Sequence, residues 1–106
     1  MKATPLGDTN DSRNYIDKAT ITLRGESRFT TDAELLKVRD ATGVTSMRAS
    51  REYDCANKKY RVPNLWAWPL PFFGGDNLRL PDPTKEWIAP AAGTVGDLLV
   101  KTVCSA

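Results

Sequence analysis

Histidine is missing from all 106 residues of this chain. That absence removes the Ser–His and Cys–His nucleophile pairs and the imidazole ligands usual in zinc and haem sites. Cysteine is scarce as well: Cys55 and Cys104 are the only 2. Their wide separation suits neither a metal cluster nor a C-x-x-C redox pair. No metal or cofactor is therefore expected, and no catalytic residue is assigned. No apolar run approaches the roughly 20 residues of a bilayer-spanning helix, so no membrane span is expected. The start, Met1-Lys2-Ala3-Thr4-Pro5, lacks the apolar core of a signal peptide. If the protein is exported, the chain reads as a mature form carrying a start Met. An excess of one charge is lacking too. The 15 basic and 13 acidic residues are evenly mixed and leave +2, which gives no strong pull on a polyanion, so nucleic acid is not an expected partner.

What is present fits one domain over residues 1–106. At this length a core covers only about two-thirds of the surface of the unfolded chain, so a covalent staple would help. The isolated cysteines and the terminal position of the second point to a Cys55–Cys104 disulfide. It would close a loop of about 50 residues and stabilise the fold by roughly 4 kcal/mol. Two unrelated buried thiols in a reducing compartment are the alternative.

The stretch Glu52-Tyr53-Asp54-Cys55-Ala56-Asn57-Lys58-Lys59-Tyr60-Arg61-Val62 reads as a hairpin turning at Ala56-Asn57. Before it, Ala3 to Leu6 suits a short edge strand, where Pro5 is tolerated, and residues 7–14 read as a polar turn with nothing to bury. Ala19, Ile21 and Leu23 alternate with Thr20, Thr22 and Arg24, the period of a half-buried strand. Segment 29–40 is ambiguous: Thr31-Asp32-Ala33-Glu34 is a helical capping box, with Leu35, Leu36 and Val38 behind it. In the strand leading to Cys55, Met47, Ala49 and Tyr53 share one face. Arg51 interrupts that face and needs to snorkel or to find a carboxylate. Tyr60 and Val62 continue the core face, and strict alternation adds Trp66 and Trp68 to it. Pro69 and Pro71 then end the ladder, which puts Phe72 and Phe73 on a loop beside Gly74-Gly75. One more strand is expected over 76–80, and Pro81-Asp82-Pro83 breaks it. A final helix starts at Thr94, with Asp97 in its first turn. Its apolar stripe is Val95, Leu98, Leu99, Thr102 and Val103. Cys104 falls nearly opposite that stripe, so the helix is expected to fray just before it.

Several of these pieces, in this order, resemble the surface-adhesin E-like family of Gram-negative bacteria. They are Tyr15-Ile16-Asp17 with Ala19-Thr20-Ile21, Ser46 through Glu52-Tyr53-Asp54-Cys55, and Tyr60-Arg61-Val62. Trp87, Gly93-Thr94-Val95-Gly96-Asp97-Leu98-Leu99 and Cys104 complete the succession. The resemblance implies an exported α+β domain: a single antiparallel sheet of about six strands with a disulfide-tethered C-terminal helix packed on one face. It implies the same Cys55–Cys104 bridge and a strand over 29–40. Two departures stand out. Ala92-Gly93-Thr94 replaces the Pro-Gly-Ser usual before the helix, and the Trp66–Phe73 run is richer in aromatics than the pattern requires.

Function is read as a non-catalytic binding module of the periplasm or cell surface. By family analogy its partner is a protein, from the host matrix or the periplasm. The candidate contact residues are Phe72, Phe73, Trp66 and Trp68, since exposed aromatic patches mark interaction sites. Core filling is the competing reading, above all for the two tryptophans. A second possibility is a structural subunit that dimerises through the same run or a sheet edge. A third is a small hydrolase built on Glu34, Glu52, Asp54 or Glu86.

Overall fold

Alternating β-branched and aromatic residues form five antiparallel strands whose order in the sheet is their order in the chain. They are β1 (Thr4–Asp8), β2 (Ser12–Arg24), β3 (Ser27–Leu36), β4 (Ser46–Asp54) and β5 (Lys59–Trp68), followed by a 3-10 turn (Pro71–Phe73) and one α-helix, α1 (Val95–Cys104). The computed structural model describes residues 3–9, 11–37, 43–78 and 85–105. The end of the strand expected over 29–40, the last residues of that expected over 76–80 and the Pro81-Asp82-Pro83 break lie outside the described residues. Among the described residues, Leu78 and Ile88 form single bridges to Ala67 and Tyr60 along the outer side of β5.

Local propensity loses in β3. Its capping-box residues pair on both sides, Thr31 with Asp17 and Ser50, and Glu34 with Asn14 and Met47. Two full ladders outweigh a few tenths of a kcal/mol per residue of helical preference. The segment expected to have nothing to bury also differs, because β1 runs to Asp8 and β2 begins at Ser12. Ser12 and Asn14 are buried, and both are hydrogen-bonded, Asn14 Nδ2 donating to Gly7 O and Ser12 Oγ.

The sheet has two unlike faces. On the front, Ile16, Asn14, Asp32, Glu34, Ala49, Arg51 and Tyr53 lie in register across β2–β4. Tyr60 opposes Tyr53, but between Glu52–Arg61 and Ser50–Asn64 the register of β5 slips by one residue. The extra residue falls at Val62-Pro63. A proline has no N–H for the ladder and sits well at a bulge. One added residue exchanges the faces of everything beyond it. Leu65 and Ala67 therefore oppose Ala49 and Met47 on the front, and Trp66 and Trp68 oppose Arg48 and Ser46 on the back. The expected core-face position of the tryptophans is thus corrected by the bulge.

α1 closes the front. Leu99, Val100 and Val103 pack on Ile16 and Tyr53, with Ile21, Tyr60, Val95 and both cysteines around them. The buried stripe runs through Val100, and Leu98 is exposed, a rotation of the expected stripe. Cys104 lies one turn beyond Val100 and so borders the buried face, and the helix continues through it without fraying. Thr94 Oγ1 accepts from Asp97 N–H, and Asp97 Oδ2 accepts from Gly93 N–H, a reciprocal cap. The Gly93 N–H, first, and then the Lys101 ammonium hold the Asp97 carboxyl below its ordinary value. At the other end Arg28 donates to Val103 O at 2.6 Å, a cation at the negative helix terminus. At Gly96 the helix comes close to its neighbours, since a Cβ there would lie 3.0 Å from Tyr60 Cε1 and 3.1 Å from Pro90 Cβ.

The Cys55–Cys104 disulfide ties the end of α1 to the β4–β5 turn, with Cα atoms 5.5 Å apart. A helix of 10 residues is marginal in water without tertiary support. Replacing both cysteines with Ser should lower unfolding free energy by about 2–4 kcal/mol. Guanidinium unfolding followed by circular dichroism measures this, and an unchanged midpoint would mean that packing alone holds the helix.

Candidate interaction surface

The back face is built in rows. Arg13, Leu35, Ser46 and Trp68 form one row across β2–β5, and Tyr15, Ala33, Arg48 and Trp66 form the next. α1 does not cover them, and only the short 3-10 turn Pro71–Phe73 packs on this side among the described residues. After Trp68 the chain turns back over the first row. Thr45 Oγ1 donates to Pro69 O at 2.8 Å, and the fully buried Ser46 donates to Leu70 O at 2.6 Å. Ser46 Oγ also accepts from Phe73 N–H at 3.0 Å. One hydroxyl thus fixes both ends of the Leu70–Phe73 turn to β4. Gly75, at φ +80°, closes the turn where a Cβ would meet Pro69 Cγ at 2.9 Å.

This anchoring gives the four candidate residues different positions. Phe73 is half-buried, its ring centroid 4.9 Å from that of Trp68 and tilted by 54°. Trp66 lies beside them, 38% exposed, with the Arg48 guanidinium carbon 5.9 Å from its ring centroid. Phe72 is 74% exposed. Both phenylalanines adopt positive φ, 54° and 65°, a conformation that costs a bulky residue roughly 1–3 kcal/mol and persists only where its surroundings enforce it. Between the turn and the sheet is an apolar cleft of about 170 Å³, lined by Ala3, Tyr15, Ala33, Leu35, Phe72 and Phe73. Arg13 and Lys37 flank Phe72 on its outer side, both near Asp8 at 3.9–4.0 Å in exposed pairs.

Of the carboxylates considered for hydrolysis, only Glu52 and Asp54 share a face. Glu52 and Asp54 point to the back face, where Glu52 accepts from Arg61. Glu34 is on the front, and Glu86 is exposed in the segment before α1. The structure instead groups Glu34 with Asp32, two residues away on the same face. Asp32 is the carboxylate that Arg51 requires, with Nε 2.6 Å from Oδ2. Burial pushes the Asp32 carboxyl up while Arg51 pulls it back. Burial alone would lower Arg51, but the Asp32 charge outweighs it and keeps the guanidinium protonated. The two directions oppose each other, and the short contact makes the ionised pair the state at neutral pH. Burial also raises Glu34, only partly offset by the Ser12 hydrogen bond. Sequence reasoning missed Asp32 and Ser46. The lone arginine on an apolar face signalled a carboxylate partner but not which one, and no local pattern marks Ser46.

Together these features define a small disulfide-clamped α+β domain with one closed face and one open, aromatic face. The sequence profile of the family described as surface-adhesin protein E matches residues 4–105, and the chain belongs to that family. No curated protein matches the sequence. Solved structures of Haemophilus influenzae protein E share the fold. The selenomethionine form gives a TM-score of 0.71 at 13% identity, covering 99% of this chain and 95% of that one. Crystal form II gives 0.69 at 13% identity, covering 95% and 92%. Protein E from a non-typeable strain gives 0.61 at 14% identity, covering 99% and 85%.

Two outcomes follow from the geometry. Phe72→Ser should change stability by less than about 0.5 kcal/mol, whereas Phe73→Ser should cost about 1–3 kcal/mol through the lost Trp68 contact. Equal losses in urea unfolding would contradict the different anchoring of the two rings. Because the folded-state pKa of Glu34 lies above its ordinary 4.5, the folded protein holds that proton more tightly than the unfolded chain. Its contribution to stability is full below the unfolded value and is lost as pH rises through the raised folded value. Glu34→Gln should flatten stability against pH in that window, and a slope identical to wild type would remove the assignment.

Proposed function

We propose that the protein is a non-catalytic binding module of the cell surface or periplasm that contacts a protein partner through the open face of its sheet. The observation that carries this reading is Phe72, 74% exposed and held at positive φ by a turn fixed to buried Ser46. Local strain that keeps a large apolar ring in water has no folding rationale and is a pointer to use. Trp66 with Arg48 extends the patch, and aromatic and Arg residues are the side chains that dominate protein–protein contacts. Trp68 and Phe73 support it from beneath. The adhesin family supports a partner outside the cell or in the periplasm, and an oxidising compartment is where a disulfide persists. Scattered carboxylates on opposite faces weigh against the hydrolase.

The second reading, a dimer through the same patch, rests on the adjoining apolar cleft of about 170 Å³, which a Phe72 ring from another copy could enter. Immobilised oxidised protein tested against extracellular-matrix and periplasmic extracts separates the outcomes. A partner retained by wild type should be held roughly tenfold more weakly by the Trp66→Ser/Phe72→Ser variant. Equal retention by wild type and variant would remove the patch as the contact. Sedimentation at two concentrations decides the dimer, which a concentration-independent monomer would refute.

A further inference from the structure

The front face carries a second feature that this surface does not use. Beside the first turn of α1 and beneath Leu99, a cavity of about 200 Å³ opens over the sheet. Its polar floor is Asn14, Asp32, Glu34 and Arg51, and Met47, Leu65 and Leu99 form an apolar wall. Asn14 stands directly opposite Glu34 across the β2–β3 ladder, and Asp32 is two residues along on the same face.

The hydrogen bonding of this floor is incomplete in one sense only. Asn14, 5% exposed, donates from Nδ2 to Gly7 O and Ser12 Oγ, which commits its N–H groups and leaves Oδ1. Glu34 receives Ser12 Oγ on Oε2, leaving Oε1. Asp32 receives Arg51 on Oδ2, leaving Oδ1. Among the described residues nothing donates to these three oxygens. None is sealed from solvent without a partner, so the cavity reaches them. When Glu34 is ionised, two carboxylates against one guanidinium leave the floor one negative charge in excess. Arg51 donates to Asp32 and lies over the Tyr60 ring at 4.9 Å, so it makes no hydrogen bond to Glu34 and only its charge acts there.

Three acceptor oxygens, one uncompensated negative charge and an adjoining apolar wall describe the complement of a particular group. An ammonium has three donors and no acceptor, carries the missing charge, and on a short aliphatic stem presents CH₂ groups to an apolar surface. A carboxylate ligand would face three acceptors, and a neutral alcohol would offer one donor to three oxygens and no charge. We propose that this cavity binds a primary ammonium on an aliphatic stem, the end of a lysine side chain or a small alkylamine, with Asn14, Asp32 and Glu34 as acceptors.

The oxidised protein titrated with n-butylammonium and followed by two-dimensional amide NMR tests this. The expected result is a saturable shift of the Asn14 side-chain amide and of the Asp32–Glu34 backbone, absent with butyrate or n-butanol. Glu34→Gln, which keeps the side-chain shape, should weaken binding about tenfold or more. Equal shifts from butanol or butyrate, no saturation, or undiminished binding to Glu34→Gln would overturn the proposal. The comparison of the three small molecules on wild type decides alone if the variant does not fold. A parallel titration with Nα-acetyl-lysine amide distinguishes the sources. Binding equal to butylammonium supports a lysine of a partner protein, and binding of butylammonium alone supports a free amine.

Discussion

The bond between Cys55 and Cys104 sets which side of the sheet the terminal helix covers. A 10-residue helix gains little from its own hydrogen bonds, and the thin core of a chain this size leaves little surplus to hold it. Fixing its last turn to the β4–β5 hairpin, with Arg28 on Val103 O and the Thr94–Asp97 cap at the start, brings Leu99, Val100 and Val103 down onto Ile16 and Tyr53. Since the chain has a single α-helix among its described residues, closing the front leaves the back covered only by the short Pro71–Phe73 turn. The division between a structural face and an available one follows from that.

The composition of each face depends on a second constraint, the bulge at Val62-Pro63 in β5. Without it, Trp66 and Trp68 would lie on the same side as Tyr60 and compete with the helix for the core. The slipped register sends them to the back, where Trp68 supports Phe73 and Trp66 meets Arg48. Small Ala67 replaces them on the front, fully buried. The aromatic run that looks like surplus core material in the sequence becomes a surface feature through one proline.

Much of this is legible in the sequence where one residue or a fixed spacing carries the constraint. Two lone cysteines with the second near the end imply the bridge, and Thr94 with Asp97 marks the start of the helix. Arg51 on an otherwise apolar face calls for a carboxylate. What is hidden depends on partners distant in the chain. The capping box at Thr31–Glu34 is a genuine local signal overridden by pairing with β2 and β4. The bulge cannot be placed from alternation alone, because a parity change looks the same as its absence until the register with β4 is known. Val100 and Leu98 exchange roles because the disulfide turns the Val100 side of the helix toward the sheet, and both residues are apolar enough to fill either position. The front cavity joins side chains from β2, β3 and β4 and has no local signature.

The central claim is that the disulfide keeps one face shut and the other open. A soluble paramagnetic agent, which broadens side-chain NMR signals in proportion to their exposure, measures both faces at once. In the oxidised protein Tyr53, Leu99 and Val103 should be shielded and Trp66 and Phe72 strongly broadened. On reduction the first three should lose much of their shielding while Trp66 and Phe72 stay as they were. Shielded Trp66 and Phe72 in the oxidised protein, or Leu99 and Val103 unaffected by reduction, would contradict the account.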